Sequence, residues 1–214
     1  MIALSDQNDL SPEAFLVWEA QQSQRYEYLD GQAYAMSGGT LPHNAIAINL
    51  VAVLRNHMRQ KNCRLYGSDA RVFVSEKGPF FYPDLVVTCD SRDFDAIQGL
   101  RHPCLIIEVL SPSTQSFDYS EKFRQYRRLE SLQEYILIAS DRPAIDCYFH
   151  RESKRWDFES YSPQENQIDG IESDQDPMDL SKIIVPFKSL DFSCSLATVY
   201  EDVVFAANFN SAPP

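Results

Sequence analysis

Two carboxylates stand where an apolar strand has no reason to carry charge. Asp84 lies in "YPDLVV", and Glu108 lies in "CLIIEVLSPST", where six of the first seven residues are apolar or thiol. That second run has the pattern of a strand buried on both faces, so an ionised Glu108 needs a partner to offset several kcal/mol of lost hydration. If the two segments are neighbours in one sheet, Asp84 and Glu108 approach each other. Close carboxylates persist only when one is protonated or a cation lies between them. A hard divalent ion such as Mg²⁺, with Mn²⁺ as a substitute, is the natural occupant, because it takes carboxylate oxygens and leaves positions for water and substrate. Lys122 follows in "FDYSEKFRQYRRLE", four residues after Asp118 and four before Tyr126, so one helical face presents all three. A lysine reaching back from that helix would orient an attacking water or offset charge building on a phosphoryl group.

Each of these residues has a plainer reading. Asp84, after a proline, can end a turn and cap main-chain amides. Lys122 can be a solvated partner of Asp118 or Glu121. Glu108 has the weakest alternative, because its burial without a partner is expensive. Ser111 and Ser113 lack a Gly-x-Ser-x-Gly elbow, so "SPST" reads as the turn that ends the strand and caps the next helix.

The elements that must carry these residues alternate between helix and strand. "SPEAFLVWEAQQ" opens with Ser11 as N-cap and Pro12 at the first helical position. "RYEYLDGQAYAM" is a hairpin turning at Asp30-Gly31, with Glu27 facing opposite Tyr26 and Tyr28. A long helix runs from Pro42 to about Gln60, with apolar positions 46, 50, 53, 54 and 58. "CRLYG", "DARVFVSEKG" and "FFYPDLVVTCD" suggest three neighbouring strands. After the Glu108 strand and the Lys122 helix, "EYILIAS" reads as a buried strand, while "AIDCYFH" and "WDFESY" form a half-exposed antiparallel pair. "IIVPFKSLDFS" and the amphipathic "SLATVYEDVVFAA" close the chain, the latter as a C-terminal helix. The fold class is α/β, a central mixed sheet with helices on both sides and the acids near one end.

Bulk properties narrow the field. With 214 residues, 44% of them hydrophobic, the chain can bury a substantial core and is most simply one domain. The acidic loop from about 162 to 179 reads as a solvated insertion. Nineteen Lys and Arg against 31 Asp and Glu give a formal charge of -12, which argues against a generally basic nucleic-acid surface. A local cluster such as Lys122, Arg124, Arg127 and Arg128 still makes its own field. The five cysteines, odd in number and widely spaced, read as buried reduced thiols, and without a CxxC a structural zinc site is disfavoured. No run approaches the ~20 apolar residues that span a bilayer, and a soluble cytoplasmic protein is expected.

The Pro-Asp, Glu and Lys pattern resembles the PD-(D/E)xK, or restriction-endonuclease-like, superfamily. More closely, "YPDLVV", "IEVLSPST", "FDYSEKFRQYRRL" and "QEYILI", in this order, are similar to a large family of mostly uncharacterised bacterial endonuclease-like proteins. The similarity extends upstream through "RYEYLDGQAYAMSGG" and "PHNAIAINLVAVL", covering roughly residues 11 to 150, and "LDFSCSLATVYEDVVF" matches the family's usual ending. The resemblance implies that Asp84, Glu108 and the Val109 main-chain carbonyl bind Mg²⁺ and that Lys122 is the catalytic lysine. In the parent pattern the lysine stands two residues after the acid, where this chain has Leu110, so the lysine has migrated to the helix. Glu27 matches an upstream acid that approaches the metal or orders a side chain, against the plainer reading of a cross-strand polar partner. His43 matches a recurrent histidine that contacts phosphate or caps the long helix, against the plainer reading of a satisfied loop residue.

The resulting expectation is a Mg²⁺-dependent endonuclease acting on nucleic acid, DNA before RNA, leaving a 5′-phosphate and a 3′-hydroxyl. A homodimer would suit double-strand cutting, with the C-terminal helix as its seam. The alternatives are a non-catalytic nucleic-acid or protein-binding module on the same fold, and an acid and base pair for glycoside hydrolysis. The latter is disfavoured by only two Trp in the chain.

Overall fold

The structure is a computed structural model that describes residues 10–36, 38–151, 155–163 and 179–205. The core of the acidic loop, residues 164–178, and the last residues, 206–214, lie outside the described residues. Among those described, no helix is long and apolar enough to cross a membrane.

A six-stranded mixed sheet forms the centre. Its strands are β3 (Arg64–Gly67), β6 (Leu85–Thr88), β7 (Leu105–Leu110), β8 (Glu134–Ala139), β9 (Ile145–His150) and β10 (Trp156–Tyr161), in the order β10-β9-β8-β7-β6-β3. The β7–β8 pair is parallel and its neighbours on either side are antiparallel. A four-stranded sheet, β2-β1-β5-β4, is built from β1 (Tyr26–Leu29), β2 (Gln32–Ala35), β4 (Val72–Phe73) and β5 (Phe80–Phe81). The three segments expected as neighbours are therefore split between sheets: "CRLYG" pairs with the end of "FFYPDLVVTCD", while β4 pairs with β5. The short apolar runs do not reveal this, because register is decided by which sheet face each must cover.

Period-two alternation in β7 sorts its side chains. Leu105, Ile107 and Val109 join one core with α2 (Leu41–Met58), whose Ile46, Leu50, Leu54 and Met58 are buried at helical spacing. Ile106 and Leu110 join a second core on the other face, under the helix that starts at Gln115. Glu108 shares that second face by its position between them. A third cluster of Phe15, Tyr26, Tyr28, Phe73 and Phe80 binds α1 (Pro12–Glu19) to the small sheet. Ser11 caps α1, and Asp30 and Gly31 both take positive φ in the β1–β2 turn, as the sequence predicts.

The Lys122 helix spans 115–126 rather than running to Glu130. It consists of α3 (Gln115–Phe117), a wide π turn (Asp118–Lys122) and α4 (Phe123–Tyr126). The Tyr135 hydroxyl donates to the Asp118 carbonyl (3.1 Å), an intrusion into the helical ladder that accompanies the widening. The expected C-terminal helix is also shorter. It is α5 (Leu196–Val199), capped by Ser195 and ended where Tyr200 leaves helical geometry to bond the Ala139 and Ala144 carbonyls.

The cysteine expectation needs one correction: Cys63 and Cys89 form a disulfide, while Cys104, Cys147 and Cys194 are free. Arg64 pairs with Thr88 in the β3–β6 register, so the residues flanking that pair face each other. Spacing along the chain gives no hint of it, because strands of another sheet intervene.

Glu134, fully buried at the start of β8, clamps the last hairpin, β11 (Ile184–Phe187) with β12 (Phe192–Ser195). Its carboxylate accepts bonds from Lys188 N (3.1 Å), Ser189 N (3.0 Å) and Ser189 Oγ (2.6 Å) in the 3-10 turn between those strands. Glu134→Ala strands two main-chain donors and is expected to cost about 2–4 kcal/mol, read as a lower urea midpoint. An unchanged midpoint would show that the turn holds without its clamp.

Candidate active site

Glu27, His43, Asp84, Glu108 and Lys122 line one cavity of about 360 Å³, together with Val109, Asp118 and Tyr82. Residues separated by 95 positions in the chain thus meet at one end of β6 and β7. Asp84 immediately precedes β6, and its Oδ2 accepts the Val109 amide (2.7 Å) from the antiparallel neighbour. That bond locks the two acid-bearing strands together at the level of Glu108.

The partner of the buried carboxylate is Lys122. Its ammonium is 2.9 Å from Glu27 Oε1, 3.1 Å from Glu108 Oε1 and 3.5 Å from Asp118 Oδ1. The lysine is only 6% exposed, which rules out the solvated helix partner that its spacing alone allows. Tyr126, one turn on and fully buried, donates its hydroxyl to Glu108 Oε1 (3.2 Å). The expected helical face of Asp118, Lys122 and Tyr126 is therefore present.

Three carboxylates share one ammonium, and this governs the protonation balance. Burial pushes Glu108 well above the usual carboxylate range; Lys122 pulls it back, but Asp118, Asp84 and Glu27 push it further up. Burial likewise raises Glu27, against the pull of Lys122 and the Tyr82 amide. Lys122 is disfavoured by burial yet held well above its ordinary value by Glu108, Glu27 and Asp118. Tyr126 stays a protonated donor, because burial and Glu108 both oppose its ionisation.

His43 sits in the first turn of α2, where its amide is capped by Thr40 Oγ1 (3.4 Å). Its Nε2 lies 3.2 Å from Asp84 Oδ1. Burial lowers its basicity, but the bond to Asp84 and that residue's charge outweigh it and leave the imidazole more basic than usual. A side chain at Gly39 would place its Cβ 2.7 Å from His43 Nδ1, so glycine there makes room for the ring.

Sequence reasoning missed a supporting network behind Glu27. The Tyr82 hydroxyl donates to Glu19 Oε1 (2.8 Å), and Arg71 Nε donates to the Tyr82 oxygen (2.9 Å), with Glu19 only 2% exposed. Tyr82 in turn donates its amide to Glu27 Oε1 (3.1 Å) and stands two residues before Asp84. The contacts to Glu19 and Glu27 join residues more than 50 positions apart, and Arg71 and Tyr82 meet only across the small sheet's loops, so local pattern carries no trace of them. The basic cluster noted in the sequence is also dispersed. Lys122 is buried, Arg124 pairs with Glu121, Arg127 lies over the Phe123 ring, and Arg128 bonds Gln125.

Comparison with known proteins follows this geometry. Residues 12–174 match the family Uma2, described as "Putative restriction endonuclease". "Uncharacterized protein slr1290" of Synechocystis is 40% identical over 147 residues, covering 69% of this chain and 77% of that protein. "Uncharacterized protein sll1609", also from Synechocystis, is 28% identical over 158 residues, covering 73% and 89%. A crystal structure from Anabaena variabilis, described as a putative nuclease belonging to DUF820, superposes with a TM-score of 0.69 over 91% of this chain and 99% of that one. At 18% identity, that match shows a shared fold.

The crowding of acids has a sign that can be read in stability. A carboxylate whose folded pKa is raised gives stability that is complete below its ordinary value of 4.5 and is lost as pH rises through the folded value. Wild-type Tm in chelator should therefore fall as pH rises above the ordinary value of 4.5, and Glu108→Gln should flatten that fall. At the alkaline end the variant should melt a few degrees higher, the size of about 1 kcal/mol in a chain of this length. A lower Tm for the variant would show instead that attraction to Lys122 outweighs repulsion among the acids.

Proposed function

The chain belongs to the Uma2 family, and from that premise we propose that it is a metal-dependent nuclease hydrolysing phosphodiester bonds of nucleic acid, with DNA as substrate. The observation that carries this reading is the convergence of Glu27, Asp84, Glu108 and Lys122 on one cavity, with Asp84 bonded to the strand that bears Glu108.

The donor chemistry fits a hard divalent ion. Four carboxylates, Glu27, Asp84, Glu108 and Asp118, face one ammonium and one imidazole, an excess of negative charge where desolvation makes each unpaired acid costly. Among the described residues, no three acidic, His or Cys side chains form a ready-made cage. Mg²⁺ needs none, since it binds through one or two carboxylates and completes its shell with water and substrate phosphate. Asp84, Glu108 and the Val109 carbonyl are the groups that would hold it, and bound there it would supply Lewis-acid polarisation of the phosphate.

The chain's own residues supply the rest. Lys122 presents an ammonium kept protonated by its acids, and it offsets charge developing on the phosphoryl oxygens. Tyr126 and Lys122 together fix the Glu108 carboxylate. His43 and the Val109 amide do the same for Asp84, so His43 orients an acid rather than waiting free for phosphate. Glu27, held by the Tyr82 amide, keeps Lys122 over the cavity.

Two observations favour the non-catalytic reading. Lys122 is already engaged by three carboxylates, and Leu110, in the superfamily's lysine position, is 3% exposed in the core.

Incubation with supercoiled plasmid, single-stranded DNA and RNA in Mg²⁺ or Mn²⁺ separates the two. Wild type should cleave, and Asp84→Asn or Glu108→Gln should lower kcat by about 10²–10³ while keeping the wild-type circular dichroism spectrum. Lys122→Ala leaves its acids without their cation and is expected to lose about 3–5 kcal/mol of stability as well. Folded wild type that cuts none of these substrates in either metal would overturn the nuclease reading and favour the binding module.

A further inference from the structure

Three sulfur atoms meet at the other end of β6 and β7 from the carboxylate cavity. The Cys63–Cys89 disulfide joins the entry of β3 to the exit of β6. Cys104 enters β7 and places its free Sγ 3.6 Å from Cys89 Sγ. It is 6% exposed and also donates to the Val87 carbonyl (3.4 Å), whereas Cys89 is exposed. Cys89 and Cys104 both line a cavity of about 590 Å³, which also receives Arg101, His102 and Arg128.

A thiol in contact with a disulfide sulfur is the starting arrangement for exchange, which proceeds by thiolate attack and release of the other sulfur. We propose that Cys63, Cys89 and Cys104 form a thiol–disulfide exchange centre, in which Cys104 displaces Cys63 and the cross-link passes from Cys63–Cys89 to Cys89–Cys104. Cys104 gives its proton to solvent, and its thiolate forms the new bond to Cys89 Sγ. The Cys63–Cys89 bond breaks with its electron pair going to Cys63, which then takes up a proton. One disulfide and one thiol stand on each side, so no oxidant is consumed.

Geometry makes the two states unequal in effect. The first bond ties the edge strand β3 to β6. The second ties β6 to β7, the strands whose far ends hold Asp84 and Glu108. Burial pushes the Cys104 thiol up to about 11, so thiolate is scarce at neutral pH and exchange should quicken about tenfold per pH unit below that value.

The test is peptide mapping of the full chain without reduction, after thiols are trapped with N-ethylmaleimide and the reaction is quenched in acid. Raising the pH from about 7 to about 9 should move the label in wild type from Cys104 toward Cys63, about 100-fold faster at the upper value. Cys104→Ser should keep the Cys63–Cys89 bond at every pH. Cys63→Ser treated with oxidised glutathione should yield a Cys89–Cys104 bond. The proposal is overturned if folded Cys63→Ser stops at a glutathione adduct on Cys89. Should that variant not fold, wild type retaining all its label on Cys104 at the upper pH overturns it equally.

Discussion

Burying an ammonium against three carboxylates removes four charges from water, each at a penalty of several kcal/mol, and leaves attraction within the cluster to offset it. Lys122 can meet that condition only if Glu27, Glu108 and Asp118 arrive together from the small sheet, the central sheet and the helix itself. Much of the architecture serves this meeting. The parallel β7–β8 connection lays the helix over the face that Glu108 shares with Ile106 and Leu110, and the β1–β5 pairing brings Glu27 to the same place. With the lysine outnumbered by its acids, the cluster keeps more repulsion than an arrangement chosen for stability alone would carry.

The parts of this arrangement that were readable in the sequence share one property: they violated a local rule. Glu108 interrupts an apolar strand, Asp84 follows a proline into another, and Lys122 repeats with Asp118 and Tyr126 at helical spacing. The Asp30-Gly31 hairpin, the cap at Ser11 and the apolar stripe of α2 were legible for a different reason, since each follows a local rule set by neighbours a few positions away. What escaped depends on contacts closed only by the finished fold. The Glu19, Arg71 and Tyr82 network, the division of the early strands into two sheets and the Cys63–Cys89 bond all need a register that no short segment encodes. The C-terminal segment shows the reverse error: amphipathic spacing promised a helix, but Tyr200 gains more from carbonyl partners on the sheet than from another helical turn.

The pair β6 and β7 acts as a common beam between two side-chain clusters. At one end, the Asp84 to Val109 bond joins the strands beside the acids; at the other, Cys89 and Cys104 come into sulfur contact. The strands are short and fully buried between two cores, so their ends cannot relax independently as surface loops would.

The wide turn at Asp118–Lys122 limits which lengths this segment can have. A π turn holds one residue more than the α turn it replaces, so removing a residue there would restore a regular helix at no loss of backbone bonding. Because the wide turn already carries that extra residue within its arc, the deletion would leave the turns on either side facing nearly as before. Asp118 and Tyr126 would still share a face with the lysine between them, since neighbours three apart meet as those four apart do. The wide turn therefore holds the one residue this segment can lose without turning its acid-facing side away, whereas loss of a residue from the regular turns around it would rotate one part against the other by about 100°.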